Sequence, residues 1–196
     1  MISHKRLSRF KAVIASRQAG LVLVLEDIHD PHNAAAILRT CDGLGVQEVW
    51  FIFDKETPYN PKKVGKVTSS SANKWLTYKI FSSTKDCLKE LKKQKYCVYA
   101  TILNKNAQDA TRYTFNDARM ALVVGNEHRG ISPEMAQGAD KLIYLPMKGF
   151  VESFNVSVSA GLFLYEIVRQ RMQADKKEYH LSTKEQAKLL ADFKKR

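Results

Sequence analysis

Leu21-Val22-Leu23-Val24-Leu25-Glu26-Asp27-Ile28-His29-Asp30-Pro31-His32-Asn33-Ala34-Ala35-Ala36-Ile37-Leu38-Arg39 reads as a strand, a polar turn and a helix in direct succession. The apolar run at 21–25 is uninterrupted, which is the pattern of a strand covered on both faces. A helical pattern then runs from Asn33 to about residue 44, and Gly45 stops it. A strand that passes straight into a helix is half of a β-α-β unit, and such units build parallel sheets.

Two later segments have the same form. Residues 121–124 are apolar and lead into Gly125-Asn126-Glu127-His128-Arg129-Gly130. Residues 142–147 (Leu-Ile-Tyr-Leu-Pro-Met) precede Glu152-Ser153-Phe154-Asn155-Val156-Ser157-Val158-Ser159. In an open α/β sheet, chemistry gathers beyond the carboxyl ends of the strands. Three such turns in one small chain point to a single built site.

The rest of the chain fits around these segments. An amphipathic helix is expected over 3–17, with Leu7, Phe10, Val13 and Ile14 inward and Arg6, Arg9, Lys11 and Arg17 in solvent. Further strands are expected at 48–53, 75–81, 96–103, 120–124 and 141–145. Helices are expected at 84–95, after Ser132-Pro133, and from Asn155 to about 172. Ser182-Thr183-Lys184-Glu185 is a capping-box pattern and opens a last helix ending near residue 194. Residues 57–71 read as a loop with Pro58, Pro61 and Gly65, and 174–179 as a loose hinge. The fold class is therefore α/β, with a mostly parallel sheet flanked by helices.

The chain has 196 residues, 44% of them hydrophobic, enough to bury one substantial core. Net charge is +12, which favours an anionic partner, and nucleic acid is the commonest. Cys41, Cys87 and Cys97 form no CxxC pair, which argues against a disulfide framework and a structural zinc site. No apolar stretch is long enough for a bilayer, and no signal core follows the basic start, so the cytoplasm is the expected compartment.

Several polar residues have two readings. Asn33 could simply cap its helix. Arg39 shares a helical face with the small residues Ala35, Ala36 and Gly43, and could be a surface arginine paired with Asp42. Glu127 lies between Gly125 and Gly130, which permit close backbone approach and make a pocket-lining role credible. Ser153 and Asn155 could cap the long helix. His29, Asp30 and His32 could in principle hold a divalent ion, but Pro31 breaks their spacing and no metal is expected. No GxGxxG follows the first strand, unlike a Rossmann-type dinucleotide or cofactor site.

Taken together, Asn33 with Arg39, the Gly125-Asn126-Glu127 turn and Ser153-x-Asn155 resemble the three motifs of the SPOUT superfamily of RNA methyltransferases. The likeness is closest to the SpoU/TrmH branch and runs from about residue 20 to 171. It implies 2′-O-methylation of an RNA ribose by S-adenosylmethionine, most readily a D-loop guanosine of tRNA. It implies a homodimer whose sites are completed by the partner subunit, and a deep C-terminal trefoil knot threaded by about 127–154. One domain is expected over 1–196, with a basic helix at 1–19, a catalytic core at 20–173 and a C-terminal helix at 174–196.

The resemblance assigns catalytic positions to Arg39, Asn33, Glu127, Ser153 and Asn155. Cofactor contacts fall on Thr101, Gly125, Asn126, Ile143, Leu145, Met147, Phe154 and Asn155. The matching arginine is proposed in the family to activate the 2′-hydroxyl. A guanidinium stays protonated, so holding phosphate and stabilising alkoxide charge is the more physical role. Arg6, Arg9, Lys63, Arg169 and Arg171 are the chosen RNA-binding candidates, with Arg17, Lys62 and Lys66 also considered. Ribosomal RNA is the runner-up substrate, behind tRNA because relatives acting on it commonly carry an extra N-terminal RNA-binding domain and only about 20 residues precede the first strand here. An inactive knotted RNA-binding protein and a small-molecule methyltransferase are the readings from other classes. Cofactor binding and salt sensitivity separate them from the first.

Overall fold

Alternation along the first strand creates two apolar layers. In the computed structural model, which describes residues 2–64 and 72–196, strand β1 (Gln18–Glu26) sits near the middle of a seven-stranded sheet. Leu21, Leu23 and Leu25 enter one core, and Val22 and Val24 enter the other. Burying each such side chain contributes about 1.5–3 kcal/mol.

The other strands are β2 (Val46–Ile52), β3 (Thr77–Phe81), β4 (Cys97–Thr101), β5 (Gln108–Asp109), β6 (Met120–Val124) and β7 (Lys141–Tyr144). Their order is β3-β2-β1-β6-β4-β7-β5, and every pairing is parallel. The chain builds outward from β1 to β3, then crosses to the far side for β4. A change of direction of this kind leaves a crevice at the strand ends. The two-residue β5 is too short to leave a sequence pattern.

The helices are α1 (His4–Ala15), α2 (Pro31–Gly43), α3 (Thr84–Lys93), α4 (Pro133–Gly138), α5 (Val156–Ala174) and α6 (Thr183–Phe193). α2 and α5 cover one face, with Ile37, Leu38, Phe163 and Ile167 packed against the leucines of β1. α3 and α4 cover the other through Leu88, Leu91 and Met135. α1 and α6 form a separate small core of Phe10, Ile14 and Phe193, joined by Trp75. The capping box at Ser182 and Glu185 is formed.

Three expectations change here. α2 starts two residues before Asn33, because Asp30 is its cap and accepts from the His32 N–H at 2.8 Å. Residues 174–179 are no hinge. Asp175 ends α5 in the left-handed region (φ 42°), a 3₁₀ turn follows at Lys177–Tyr179, and the buried Tyr179 hydroxyl donates to Asn116 O at 3.1 Å. Arg17 is not in solvent. It is 1% exposed and donates to Asp42 Oδ1 at 2.5 Å, so it holds the acid that Arg39 was considered to pair with. Lys66 and Gly65 lie outside the described residues.

Arg171 is the clearest correction among the RNA candidates. It is 1% exposed and donates to Ala19 O (2.8 Å) and Asp117 O (3.0 Å), with Tyr179 stacked 4.6 Å from its guanidinium carbon. Burial lowers its pKa to about 10, so it is still a cation at neutral pH. A side chain that satisfies buried carbonyls is not available to a phosphate. Arg171→Met should therefore cost about 2–4 kcal/mol in urea unfolding, because those carbonyls lose their donors. The same change at the half-buried Arg169, whose Nη2 lies 2.6 Å from Glu166, should be nearly silent.

Candidate active site

Parallel strands end on one side, so the turns after β1, β6 and β7 meet there, with the loop after β2 beside them. Asp27 begins the first turn in the left-handed region (φ 52°) and is almost fully buried. Its carboxylate accepts from the N–H groups of Asp54 (2.8 Å), Lys55 (3.0 Å) and Glu56 (3.1 Å). Glu26, also buried, accepts from Thr84 Oγ1 (2.5 Å), Ser132 N (2.9 Å) and Ser132 Oγ (2.7 Å). These two acids tie the first turn to its neighbours on both sides.

The turn after β6 closes on itself. Asn126 and Gly130 exchange backbone hydrogen bonds of 3.0 and 2.9 Å. Asn126 Oδ1 accepts from His128 N and Arg129 N, and its Nδ2 donates to Asp27 O at 2.7 Å. Gly125 has no space for a side chain. A Cβ there would stand 2.2 Å from Gly130 C and 2.3 Å from Ile131 N.

Glu127 links the turns. Its Oε2 accepts from His29 N at 2.9 Å, and its Oε1 accepts from Asp30 N (3.1 Å) and Asn33 Nδ2 (2.9 Å). Asn33 Oδ1 in turn accepts from Asn155 Nδ2 at 3.0 Å. Asn155 Oδ1 caps α5 by accepting from Ser157 N at 2.8 Å. One continuous chain thus runs from Glu127 through Asn33 to the start of α5. It joins residues separated by 94 and 122 positions in sequence. Burial opposes ionisation of Glu127, but the Asn33, His29 and Asp30 donors outweigh it and hold the carboxyl below its ordinary range.

Beside this chain lies a cavity of about 380 Å³. Of the expected cofactor positions, Thr101, Gly125, Asn126 and Ile143 line it, as do Leu145, Met147 and Phe154. Glu127 and Ser153 line it too. Asn155 stands next to the wall through Phe154 and Val156 without lining it, and Arg39 is exposed on α2 and does not line it either. The volume and mixed lining suit a ligand with an apolar ring and a few polar contacts. The three thiols are no nucleophiles, since burial pushes Cys87 and Cys97 up to about 12 and Cys41 higher.

Several working parts carried no sequence signal. Glu26 and Asp27 belonged to the first polar turn without an assigned role, and Glu56 lay between the expected strand at 48–53 and the loop at 57–71. Among the described residues no three His, Cys, Asp or Glu side chains gather as a metal set. His29 Nδ1 instead meets Glu56 Oε2 at 2.7 Å.

The family description that matches is the SpoU rRNA Methylase family, over residues 20–165. A tRNA (guanosine(18)-2′-O)-methyltransferase of Thermus thermophilus is 36% identical over 169 residues, covering 86% of this chain and 84% of the relative. A crystal structure of the Aquifex aeolicus TrmH/SpoU tRNA modifying enzyme superposes with a TM-score of 0.86 at 32% identity, covering 97% of this chain and 96% of that one. The AviRb SpoU methyltransferase of Streptomyces viridochromogenes, solved with AdoMet, shares the fold at TM-score 0.70 and 24% identity, covering 82% and 64% of the two chains.

Two outcomes test the geometry. Gly125→Ala should abolish cofactor binding in calorimetry, because the methyl would collide with backbone rather than with a movable side chain. Glu127 should contribute stability that is full above its unfolded value of about 4.3 and is lost as pH falls through its lower folded value. Urea melts of Glu127→Gln should accordingly show a flatter acid limb than wild type.

Proposed function

This chain belongs to the SpoU methylase family, and we propose that it transfers a methyl group from S-adenosylmethionine to the 2′-hydroxyl of a tRNA guanosine in the D-loop. The observation that carries this reading is the Glu127–Asn33–Asn155 chain at the lip of the cavity. It holds the three motif turns in one arrangement before any ligand arrives. The relatives named as guanosine-18 methyltransferases span most of this chain and supply the substrate class.

The cavity fits the cofactor on its own features. Leu145, Met147 and Phe154 give a ring apolar cover, and Gly125, where only the turn's own backbone fits, keeps the adjoining wall free of side-chain bulk. When bound there, the cofactor supplies an activated methyl. The protein's own task is positioning, which can account for roughly 7–11 kcal/mol of such a barrier. In this reading Ser153, on the cavity wall, and Asn155, beside it, orient the ribose. Asn33 is locked by Glu127 on one side and Asn155 on the other, so it needs no reorganisation. Arg39 lies about 9 Å along the helix axis from Asn33. As a permanent cation it would hold a phosphate and stabilise negative charge developing on the 2′-oxygen.

That Arg39 is not among the residues lining its own chain's cavity favours a site completed by a second copy. α5 carries a face of exposed Val158, Leu162, Tyr165 and Met172, and Phe150 and Val151 before it are also exposed. An apolar patch of this kind marks an interface, and we assign it to the homodimer. We also infer that residues 127–154 form a trefoil knot. The out-of-order placement of β4 between β6 and β7 supports that reading. Exposed Arg6, Arg9, Lys62 and Lys63 are the remaining candidates for phosphate contacts, and Arg169 is partly engaged by Glu166. No described helix is long and apolar enough to cross a membrane, and a tRNA substrate fits work in the cytoplasm.

Labelled S-adenosylmethionine with unmodified tRNA transcript tests the proposal. Methyl incorporation should map to a D-loop guanosine ribose, and Arg39→Ala should reduce the rate by about 10²–10³-fold. Cofactor binding without incorporation into tRNA, but with incorporation into ribosomal RNA, would overturn the tRNA assignment.

A further inference from the structure

Glu56 stands beside the cavity wall, between the turns after β1 and β6. Glu56 spends each carboxylate oxygen on a different cationic side chain. Oε1 is 2.5 Å from Arg129 Nη2, and Oε2 is 2.7 Å from His29 Nδ1. Asn126 Nδ2 adds a third donor 3.4 Å from Oε1. These donors come from two of the three motif turns, and Arg129 lines the cofactor cavity. The carboxylate does not wander into this place. The Glu56 N–H is pinned by the buried Asp27 carboxylate together with those of Asp54 and Lys55.

The donors themselves are accessible. The Arg129 and His29 side chains are 48% and 64% exposed, whereas Glu56 is 16% exposed. An exposed ion pair is weakly held in water and is readily exchanged for a stronger partner. A phosphodiester offers a guanidinium the same pair of acceptor oxygens as a carboxylate. The Glu56 hydrogen bond and charge raise the pKa of His29, with Glu127 adding to the rise and burial and Arg129 opposing it.

Resting on the RNA-methylation reading above, we propose that Glu56 is an internal stand-in for a substrate phosphate. In the free protein it occupies the anion cradle of Arg129 and His29, and the RNA backbone displaces it on docking. Arg129 and His29 then become phosphate contacts beside the reacting ribose. Glu56 makes this contact selective, since a weakly bound small anion does not displace a tethered carboxylate.

The test measures binding of unmodified tRNA transcript across a salt series, with S-adenosylhomocysteine affinity measured separately by calorimetry. Glu56→Gln should tighten RNA binding by about 3–10-fold and should not change the affinity for the cofactor product. Arg129→Ala should weaken RNA binding and reduce the salt slope by about one unit. In the double variant the gain from Glu56→Gln should vanish. Circular dichroism of each variant confirms that it is folded. RNA affinity and salt slope unchanged in Arg129→Ala would overturn the proposal, as would weaker RNA binding by Glu56→Gln. A shift in cofactor-product affinity with RNA affinity constant would also overturn it, because the cradle would then serve the cofactor's carboxylate. Wild type binding no tRNA at all would defeat the methylation reading and this proposal together, whereas the Arg129 result defeats only the latter.

Discussion

A single carboxylate, that of Glu127, accepts hydrogen bonds from two backbone amides of the first turn and from the Asn33 side chain. The rest of the site depends on it. A carboxylate with several donors is stabilised as the anion, and its donors are held in turn. Without it, the half-buried N–H of Asp30 would lose its acceptor, at a cost comparable to a lost hydrogen bond. Asn33 would lose one of its two anchors and be held only by its bond from Asn155 at the start of α5.

The sheet makes this interaction possible. Parallel strands place every strand-to-helix turn on the same edge, so residues far apart in sequence become neighbours without any local signal. The cost is that these turns are crowded with unpaired backbone groups. Acids meet that need at three points, Glu26 and Asp27 buried and Glu127 half-buried. Glu26 serves α4 and α3, Asp27 serves the loop after β2, and Glu127 serves the first turn. At the opposite end of the strands, Arg17 and Arg171 do the complementary work, Arg17 donating to Asp42 O in the last turn of α2 and Arg171 to Ala19 O at the start of β1. Part of the strong positive charge is therefore internal structure rather than a surface for a polyanion.

The layers and the element order were readable because hydrophobic periodicity is a local property. The run at residues 21–25, the capping box at Ser182 and the helix after Asn155 each announce themselves within a few residues. Edges were less certain. α2 begins with Asp30 and Pro31 rather than Asn33, because an Asp followed by Pro is a better helix start than a bare Asn. Arg171 and Arg17 were misread because an arginine in a helical pattern looks solvated, and only packing shows whether carbonyls await it. The stretch at 174–179 looked loose because Tyr179's partner, Asn116, is 63 residues away.

The sequence by itself determined the α/β class, the three polar turns and the residues they bring to one edge. It did so because strand and helix periods, turn glycines and helix caps are all set by neighbours along the chain. Only the tertiary structure decided which of those polar groups hold each other. That Glu127 grips Asn33, that Glu56 grips Arg129 and His29, and that Arg171 turns inward are questions of distance across the fold. A side chain's chemistry is the same in either setting, and its partner and its burial are what make it structural or functional.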